Sequence, residues 1–181
     1  MAGYDKTETE LTKTLVSEGM QIHYEDDIRL IPNEFLNVEK TVVVRTPAVP
    51  SDHREWAYFQ KNNFQIIKRA ELLGAFSEDP HCFAIAGTHG KTTTTAILGH
   101  LLVSAKTEVT AFCGGIVEPY KSNLLGAGTD LIVVEADEFD RSFLHLHPNS
   151  AGLTSLDADH LDIYSHADAV VEAFQEFASK V

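Results

Sequence analysis

The stretch AIAGTHGKTTTT (84–95) constrains the fold of this chain more than any other part of the sequence. It begins with an apolar run typical of a buried strand, turns at Gly87 and Gly90, and continues with the apolar spacing of a helix. Glycines let a backbone approach an anion without a Cβ clash, and the first amides of a helix have no intrahelical acceptor. The sequence therefore predicts a strand–loop–helix unit that cradles phosphate groups.

Two side chains in this loop are of the types that bind a nucleoside triphosphate. Lys91 can place a positive charge on the β- and γ-phosphates, and the hydroxyl of Thr92 can bind Mg²⁺. The loop is a shorter G-x-x-G-K-T variant of the common phosphate loop, because Ile85 stands where the common pattern has a glycine. A tight strand–helix turn that binds no ligand is the alternative interpretation.

The rest of the sequence alternates between strand and helix patterns. Strands are predicted at 20–24, 41–45, 64–68, 81–87, 108–115, 130–137 and 150–156, and helices at 7–19, 51–62, 69–78, 91–105 and 167–181. The run TVVVR (41–45) is apolar enough for a parallel strand covered on both faces, and Ser51 is the expected cap of the next helix. This alternation predicts an α/β chain with parallel sheets.

Acidic side chains follow two of the predicted strands. Glu135 and Asp137 end LIVVEAD, and DADHLD (157–162) follows the next strand. Ligands bind at the carboxyl ends of strands in α/β sheets, so a carboxylate there suits a Mg²⁺ ligand; acids exposed at a strand end are the alternative. Within DADHLD, His160 can contact a second metal or a substrate phosphate, or it can simply pair with a neighbouring aspartate.

Composition excludes several classes of partner. With 14 basic and 27 acidic residues the net charge is −13, and no basic stripe offsets it, so nucleic acid is not an expected partner. No apolar run approaches the ~18 residues of a membrane span, and the polar N-terminus does not resemble a signal peptide. Cys82 and Cys113 lack metal-ligand spacing and are predicted to fill the core of a protein from a reducing compartment, the cytoplasm.

Four strings, in this order and spacing, resemble the Mur ligases of peptidoglycan synthesis. They are AIAGTHGKTTTTAILGHLL, FCGGIV, LIVVEADEFDRSFLHLHP and LTSLDADHLDIY. The upstream stretch RTPAVPSDHREWAYFQKNNFQIIKRAELL looks like the end of that family's N-terminal UDP-sugar-binding domain. Within the family, the strings are most similar to those of the enzymes that join L-alanine to UDP-N-acetylmuramate.

The resemblance implies an α/β architecture in two parts. Residues 1–70 would form a partial, Rossmann-like, UDP-sugar-binding domain, and residues 71–181 the first part of a P-loop-type, parallel-sheet ATPase domain. Members of the family have about 450 residues, or about 150 in each of three domains. The resemblance therefore implies that this chain is an internal fragment, which would not ligate by itself.

The resemblance also implies ATP-dependent amide synthesis through an acyl phosphate, with Mg²⁺ as cofactor and UDP-N-acetylmuramate and L-alanine as substrates. The implied ATP-binding residues are Gly87, Thr88, His89, Gly90, Lys91, Thr92 and Thr93. The implied catalytic residues are Lys91, Glu135 and His160, and the implied Mg²⁺ ligands are Thr92, Glu135 and His160. Asp137 and Glu138 would face the substrate side.

One departure and two alternatives accompany the resemblance. The family often has Thr-Asn-Ile before its Asp-His pair, but this chain has Ser155 at the asparagine position, so a side-chain contact to nucleotide or metal is not assumed there. One alternative is the muropeptide-recycling ligase, which adds a tripeptide to the same UDP-sugar. The other is a nucleotide- or UDP-sugar-binding module without catalytic activity.

Overall fold

Parallel strands alternate with helices in both of the units into which the chain divides, Met1–Arg69 and Ala70–Val181. The structure is a computed structural model that describes residues 1–156 and 167–181. None of the helices in these ranges combines the length and apolarity that a bilayer crossing requires. The predicted α/β alternation is therefore present, and each unit is described separately.

The first unit opens with a strand–helix–strand segment that the sequence indicated only in part. β1 (Ala2–Tyr4) pairs in parallel with β2 (Gln21–His23), and α1 (Glu10–Ser17) connects them. Thr9 caps α1 through a capping box with Thr12. No strand was expected at β1, because three residues inside a polar stretch carry too little pattern to indicate one.

A second segment of the same kind follows after two short 3-10 turns, Ile28–Leu30 and Asn33–Phe35. β3 (Val42–Arg45) pairs in parallel with β4 (Gln65–Lys68), and α2 (Arg54–Lys61) connects them. The expectation that 41–45 is covered on both faces was wrong, because the side chains of Val42 and Val44 are 50% and 43% exposed.

The predicted cap of α2 was also wrong. His53 occupies the N-cap position, without a side-chain cap, and Ser51 lies two residues before it. Asp26 supplies the missing acceptor instead, because its two carboxylate oxygens accept the amides of Arg54 and Glu55 at 2.9 and 3.2 Å. A carboxylate from a distant turn thus replaces the local hydroxyl that the sequence suggested.

The second unit is built on one five-stranded sheet in the order β7-β6-β8-β5-β9. Helix α3 (Arg69–Phe76) begins at the last residue of the first unit and continues into the second. The other elements of the second unit are β5 (His81–Ala86), α4 (Lys91–Ser104), β6 (Val109–Val117), β7 (Ser122–Gly126), β8 (Leu131–Glu135), a 3-10 helix (Phe139–His145), β9 (Ser150–Leu153) and α5 (Ala167–Ala178). The four strands β6, β8, β5 and β9 are parallel. Their carboxyl ends therefore lie at one edge of the sheet.

The prediction of parallel sheets holds for four of these strands but not for β7, which pairs antiparallel with β6. This strand, SNLLG, has one neighbour and lies at the edge of the sheet. Only Leu125 among its residues is buried, so neither an apolar run nor a regular alternation marks it in the sequence.

Both faces of β5 are buried, which agrees with the buried strand that its apolar run predicted. Cys82, Ala84 and Ala86 pack on one face of β5 in a cluster that includes phenylalanines of the 3-10 helix and α5. Ile85 packs on the other face, in a cluster that includes Cys113 and the inward leucines of α4. Both thiols are buried, so the prediction that they fill the core is confirmed.

Candidate phosphate-binding site

The loop between β5 and α4 has the backbone that the sequence predicted. Gly87 and Gly90 have φ angles of +131° and +81°, a region that favours glycine. Gly90 is the N-cap of α4, whose first main-chain hydrogen bond runs from Thr94 N to Gly90 O at 3.0 Å. The amides at the start of α4 therefore have no intrahelical acceptor and can bind an anion.

Lys91 folds back over this loop and contacts a buried acid. Its Nζ donates to Gly87 O at 2.6 Å and lies 3.0 and 2.8 Å from the Oε1 and Oε2 atoms of Glu138. The side chains of Lys91 and Glu138 are 12% and 1% exposed. The ammonium group thus lies beside the loop, and Glu138, for which the resemblance implied the substrate side, contacts this lysine.

Thr92 and Glu135 form the second polar pair of the site. Thr92 donates through Oγ1 to Glu135 Oε1 at 2.9 Å, and Gly114 donates its amide to Glu135 Oε2 at 2.7 Å. A Cβ at Gly114 would lie 2.6 Å from both carboxylate oxygens, so any larger residue here would displace the Glu135 carboxylate from this position. Burial, and then the charge of Glu135, raise the pKa of the nearby Cys113 thiol.

The end of β9 holds the loop from its other side. Thr88 donates its amide to Ser155 O at 3.1 Å, and His89 donates its amide to Ser155 Oγ at 2.9 Å. Thr154 donates through its hydroxyl to the carbonyls of Ala86 and His89. The loop is therefore fixed by two residues that the sequence did not suggest as part of its support.

These contacts divide the amides of the loop into two groups. The amides of Thr88 and His89 donate to Ser155. The amides of the first turn of α4, which follow the N-cap Gly90, precede the first hydrogen bond of the helix and can bind an anion. The serine at the position where the family often has asparagine thus binds the loop itself. Sequence offered no local signal for this contact, because the partners are 66 and 67 residues apart.

Of the remaining predicted acidic and histidine positions, the structure describes Asp137 but not those of DADHLD (157–162). Asp137 organises the turn after β8, because its Oδ1 accepts the amide of Phe139 at 3.1 Å and its carbonyl accepts that of Phe143 at 2.9 Å. The expectation that it faces a substrate is not tested by these contacts. His160 and the acids of DADHLD lie outside the described residues.

A magnesium ion is compatible with the pair of oxygen ligands at Thr92 and Glu135. Within residues 1–156 and 167–181, no three acidic, histidine or cysteine side chains gather into a metal-binding group. Mg²⁺ usually takes one or two protein carboxylates and completes its shell with water and substrate phosphates. A hydroxyl and a carboxylate 2.9 Å apart, beside amides that can bind phosphate, fit that requirement.

Comparison with known proteins agrees with the resemblance seen in the sequence. The profile of the Mur ligase middle domain matches residues 85–181. The UDP-N-acetylmuramate–L-alanine ligase of Flavobacterium johnsoniae is 60% identical over 181 residues, and that of Christiangramia forsetii is 57% identical over 182. Each match covers the whole chain but 40% of the relative, so the chain spans about two fifths of the length of these curated proteins.

Solved structures share the fold. The UDP-N-acetylmuramate–alanine ligase of Thermotoga maritima superposes with a TM-score of 0.80 at 28% identity, over 99% of this chain and 41% of that one. The UDP-N-acetylmuramate:L-alanyl-gamma-D-glutamyl-meso-diaminopimelate ligase from Neisseria meningitides gives a TM-score of 0.85 at 23% identity, over 99% of this chain and 60% of that one. At that identity the second likeness concerns the fold alone.

Proposed function

This chain belongs to the Mur ligase family, and we propose that the protein joins L-alanine to UDP-N-acetylmuramate in an ATP-dependent reaction of peptidoglycan synthesis. Relatives that carry this activity in their names are 57–60% identical to the chain, and they support alanine as the added group. The observation that carries the proposal is the arrangement of Lys91, Thr92 and Glu135 around the loop at the start of α4. We place the reaction in the cytoplasm, where ATP is available.

The charges of the site favour a nucleotide that arrives with a divalent cation. Lys91 contributes one positive charge, whereas Glu135 and Glu138 contribute two negative ones, so the three groups sum to −1. A triphosphate would meet net repulsion from these groups, and a cation at Thr92 and Glu135 would remove it. We therefore propose that Mg²⁺ binds between these two side chains and the phosphates, with His160 as a ligand of a second ion.

The loop would support phosphoryl transfer mainly by positioning and electrostatic stabilisation. The amides at the start of α4 would bind phosphate oxygens, and Lys91 would contact the transferred group. The muramate carboxylate would attack the γ-phosphorus of ATP, with ADP as leaving group, to form an acyl phosphate. The alanine amine would then attack the acyl carbon, lose a proton and release phosphate.

We further infer that the two units divide the substrates between them. The second unit would be part of a P-loop-type ATPase domain, and the first would be part of a Rossmann-like domain that binds the UDP-sugar. Parallel strand–helix–strand segments support the assignment of the first unit. So does a cavity of about 230 Å³ in that unit, whose lining includes Arg45, His53 and Trp56.

The experiment that tests this function measures ADP release by the full-length protein with ATP, Mg²⁺ and UDP-N-acetylmuramate. We expect sustained release, beyond one ADP per enzyme, to require L-alanine, and a requirement for the tripeptide instead would favour the muropeptide-recycling reaction. Lys91→Ala should lower kcat by about 10²–10³-fold, the usual effect of removing one stabilising donor. Lys180→Ala, which removes an exposed lysine of the same unit, is the matched control. ADP release that survives Lys91→Ala would refute the assignment of the loop.

A further inference from the structure

Glu138 carries a carboxylate in an almost fully buried position beside the phosphate loop. Its side chain is 1% exposed, and both of its oxygens lie within 3.0 Å of Lys91 Nζ. A buried charge is costly unless it is paired and hydrogen-bonded. The ion pair with Lys91 satisfies this requirement, so the position of each side chain depends on the other.

The backbone that carries Glu138 is fixed by the core. Its carbonyl accepts the amide of Arg141 at 3.0 Å, within the turn that leads into the 3-10 helix. Phe143 of that helix is 1% exposed, and its ring stacks on Phe177 with centroids 4.9 Å apart. The main chain of Glu138 is therefore anchored next to a helix that packs in the core, and this fixes the direction from which its carboxylate reaches Lys91.

Glu138 also determines where the ammonium group of Lys91 lies. A lysine ammonium has three donors on a flexible four-carbon stem, so one contact does not orient it. Here Gly87 O accepts at 2.6 Å, and the two oxygens of Glu138 are close enough to accept the other donors. These acceptors together hold Nζ over the first glycine of the loop.

We propose that Glu138 is a positioning residue of the ligase, which acts on the reaction through Lys91. The proposal rests on the function proposed above. A phosphate oxygen that binds Lys91 must share or exchange a donor with Gly87 or Glu138. The acid thus weakens the pull of Lys91 on the nucleotide but fixes the direction from which its positive charge reaches the transferred phosphate. Its removal affects the rate of the bound complex more than the binding of ATP.

The first test replaces the acid in the full-length protein and separates kcat from KM. Glu138→Gln keeps the shape of the side chain and removes its charge, and Glu138→Asp keeps the charge on a shorter stem. We expect both to lower kcat by about 10–100-fold, the effect of a small misplacement in a catalytic site. The KM for ATP should change by less than about threefold. Glu176→Gln, which removes an acid paired with exposed Arg141, should keep wild-type kcat.

The second test is a double-mutant cycle between Glu138 and Lys91. If Glu138 acts through the lysine, Glu138→Gln should slow the Lys91→Met protein no further. Independent, multiplicative losses would overturn the proposal, because they would show that Glu138 supports the fold and not the lysine. A raised KM with unchanged kcat would overturn it too. Should Glu138→Gln fail to fold, the same cycle is run with Glu138→Asp, which keeps a carboxylate in the core.

The outcomes separate this inference from the proposed function. If Lys91→Met releases ADP at the wild-type rate, the loop is not catalytic and the proposed function fails. If Lys91→Met is impaired while Glu138→Gln keeps kcat within about twofold of wild type, only the positioning role fails.

Discussion

The contrast between Gly87 and Gly90 gives the sharpest test of how the loop is held. Both glycines have positive φ angles, so alanine would be strained at either position. At Gly87 a Cβ would also lie 2.2 Å from Thr154 Oγ1 and 2.8 and 2.9 Å from the main-chain N and O of Ser155. At Gly90 the nearest atom would be Thr154 Cβ at 3.7 Å, an ordinary contact. Only Gly87→Ala therefore meets fixed atoms of the chain.

The magnitudes follow from these two contributions. At Gly90 the left-handed backbone costs a residue with a Cβ about 1–2 kcal/mol, and at Gly87 the larger φ of +131°, in a region used almost only by glycine, costs about 1–3 kcal/mol. Forcing extra volume into a well-packed site costs about 1–3 kcal/mol, and this contribution applies to Gly87→Ala alone. We expect Gly87→Ala to destabilise the second unit by about 2–6 kcal/mol and Gly90→Ala by about 1–2 kcal/mol.

Hydrogen exchange of the β5 amides in the full-length protein measures this difference. The fluorescence of Trp56 would not, because the only tryptophan of the chain lies in the first unit. A difference of about 1.4 kcal/mol corresponds to tenfold faster exchange through local opening, so the packing contribution of about 1–3 kcal/mol should make Gly87→Ala exchange at least about fivefold faster than Gly90→Ala. Equal exchange in the two variants would refute the packing of Thr154 and Ser155 against Gly87.

Three further predictions concern single groups. Phe143→Ala should lower the free energy of unfolding by about 3–5 kcal/mol in denaturant titrations, because it leaves a cavity beside Phe177. Burial raises the pKa of Cys82 to about 12, so a thiol reagent at pH 8 should modify it only as the unit unfolds. Hydrogen bonds from Arg29 lower the pKa of Asp27 to about 2, so this exposed pair stabilises the fold above the unfolded-state pKa of 3.8 and is lost as the pH falls towards 2. An NMR titration midpoint near 4 would contradict the pairing.

The parts of the fold that were predictable from sequence are those whose pattern is local. β5 and β8 are covered on both faces, so they appear in the sequence as unbroken apolar runs. The turn of the loop is also marked locally, because positive φ angles favour glycine and the sequence has a glycine at each of these positions. A strand pattern, two glycines and a helix pattern in succession are enough to place Lys91 and Thr92 at the start of a helix.

The parts that were not predictable depend on partners distant in sequence. Glu138 is 47 residues from Lys91, and Ser155 is 66 residues from His89, so no periodicity within a helix or strand relates them. The cap of α2 shows the same limit, because the carboxylate of Asp26 replaced the nearby hydroxyl of Ser51. Local rules identify a residue that can make a contact, and the tertiary fold decides which one does.

The order of strands explains why these distant partners converge on one loop. β5 lies between β8 and β9, and all three run in parallel, so the segments after β8 and β9 emerge on either side of the loop that follows β5. The segment after β8 supplies Glu138 against Lys91, and the segment after β9 supplies Ser155 against Thr88 and His89. A change in how β8 or β9 pairs with β5 would therefore move Glu138 or Ser155 away from the loop, even though the sequence of the loop stayed the same. The phosphate site depends on the sheet as much as on the glycines and the lysine that first indicated it.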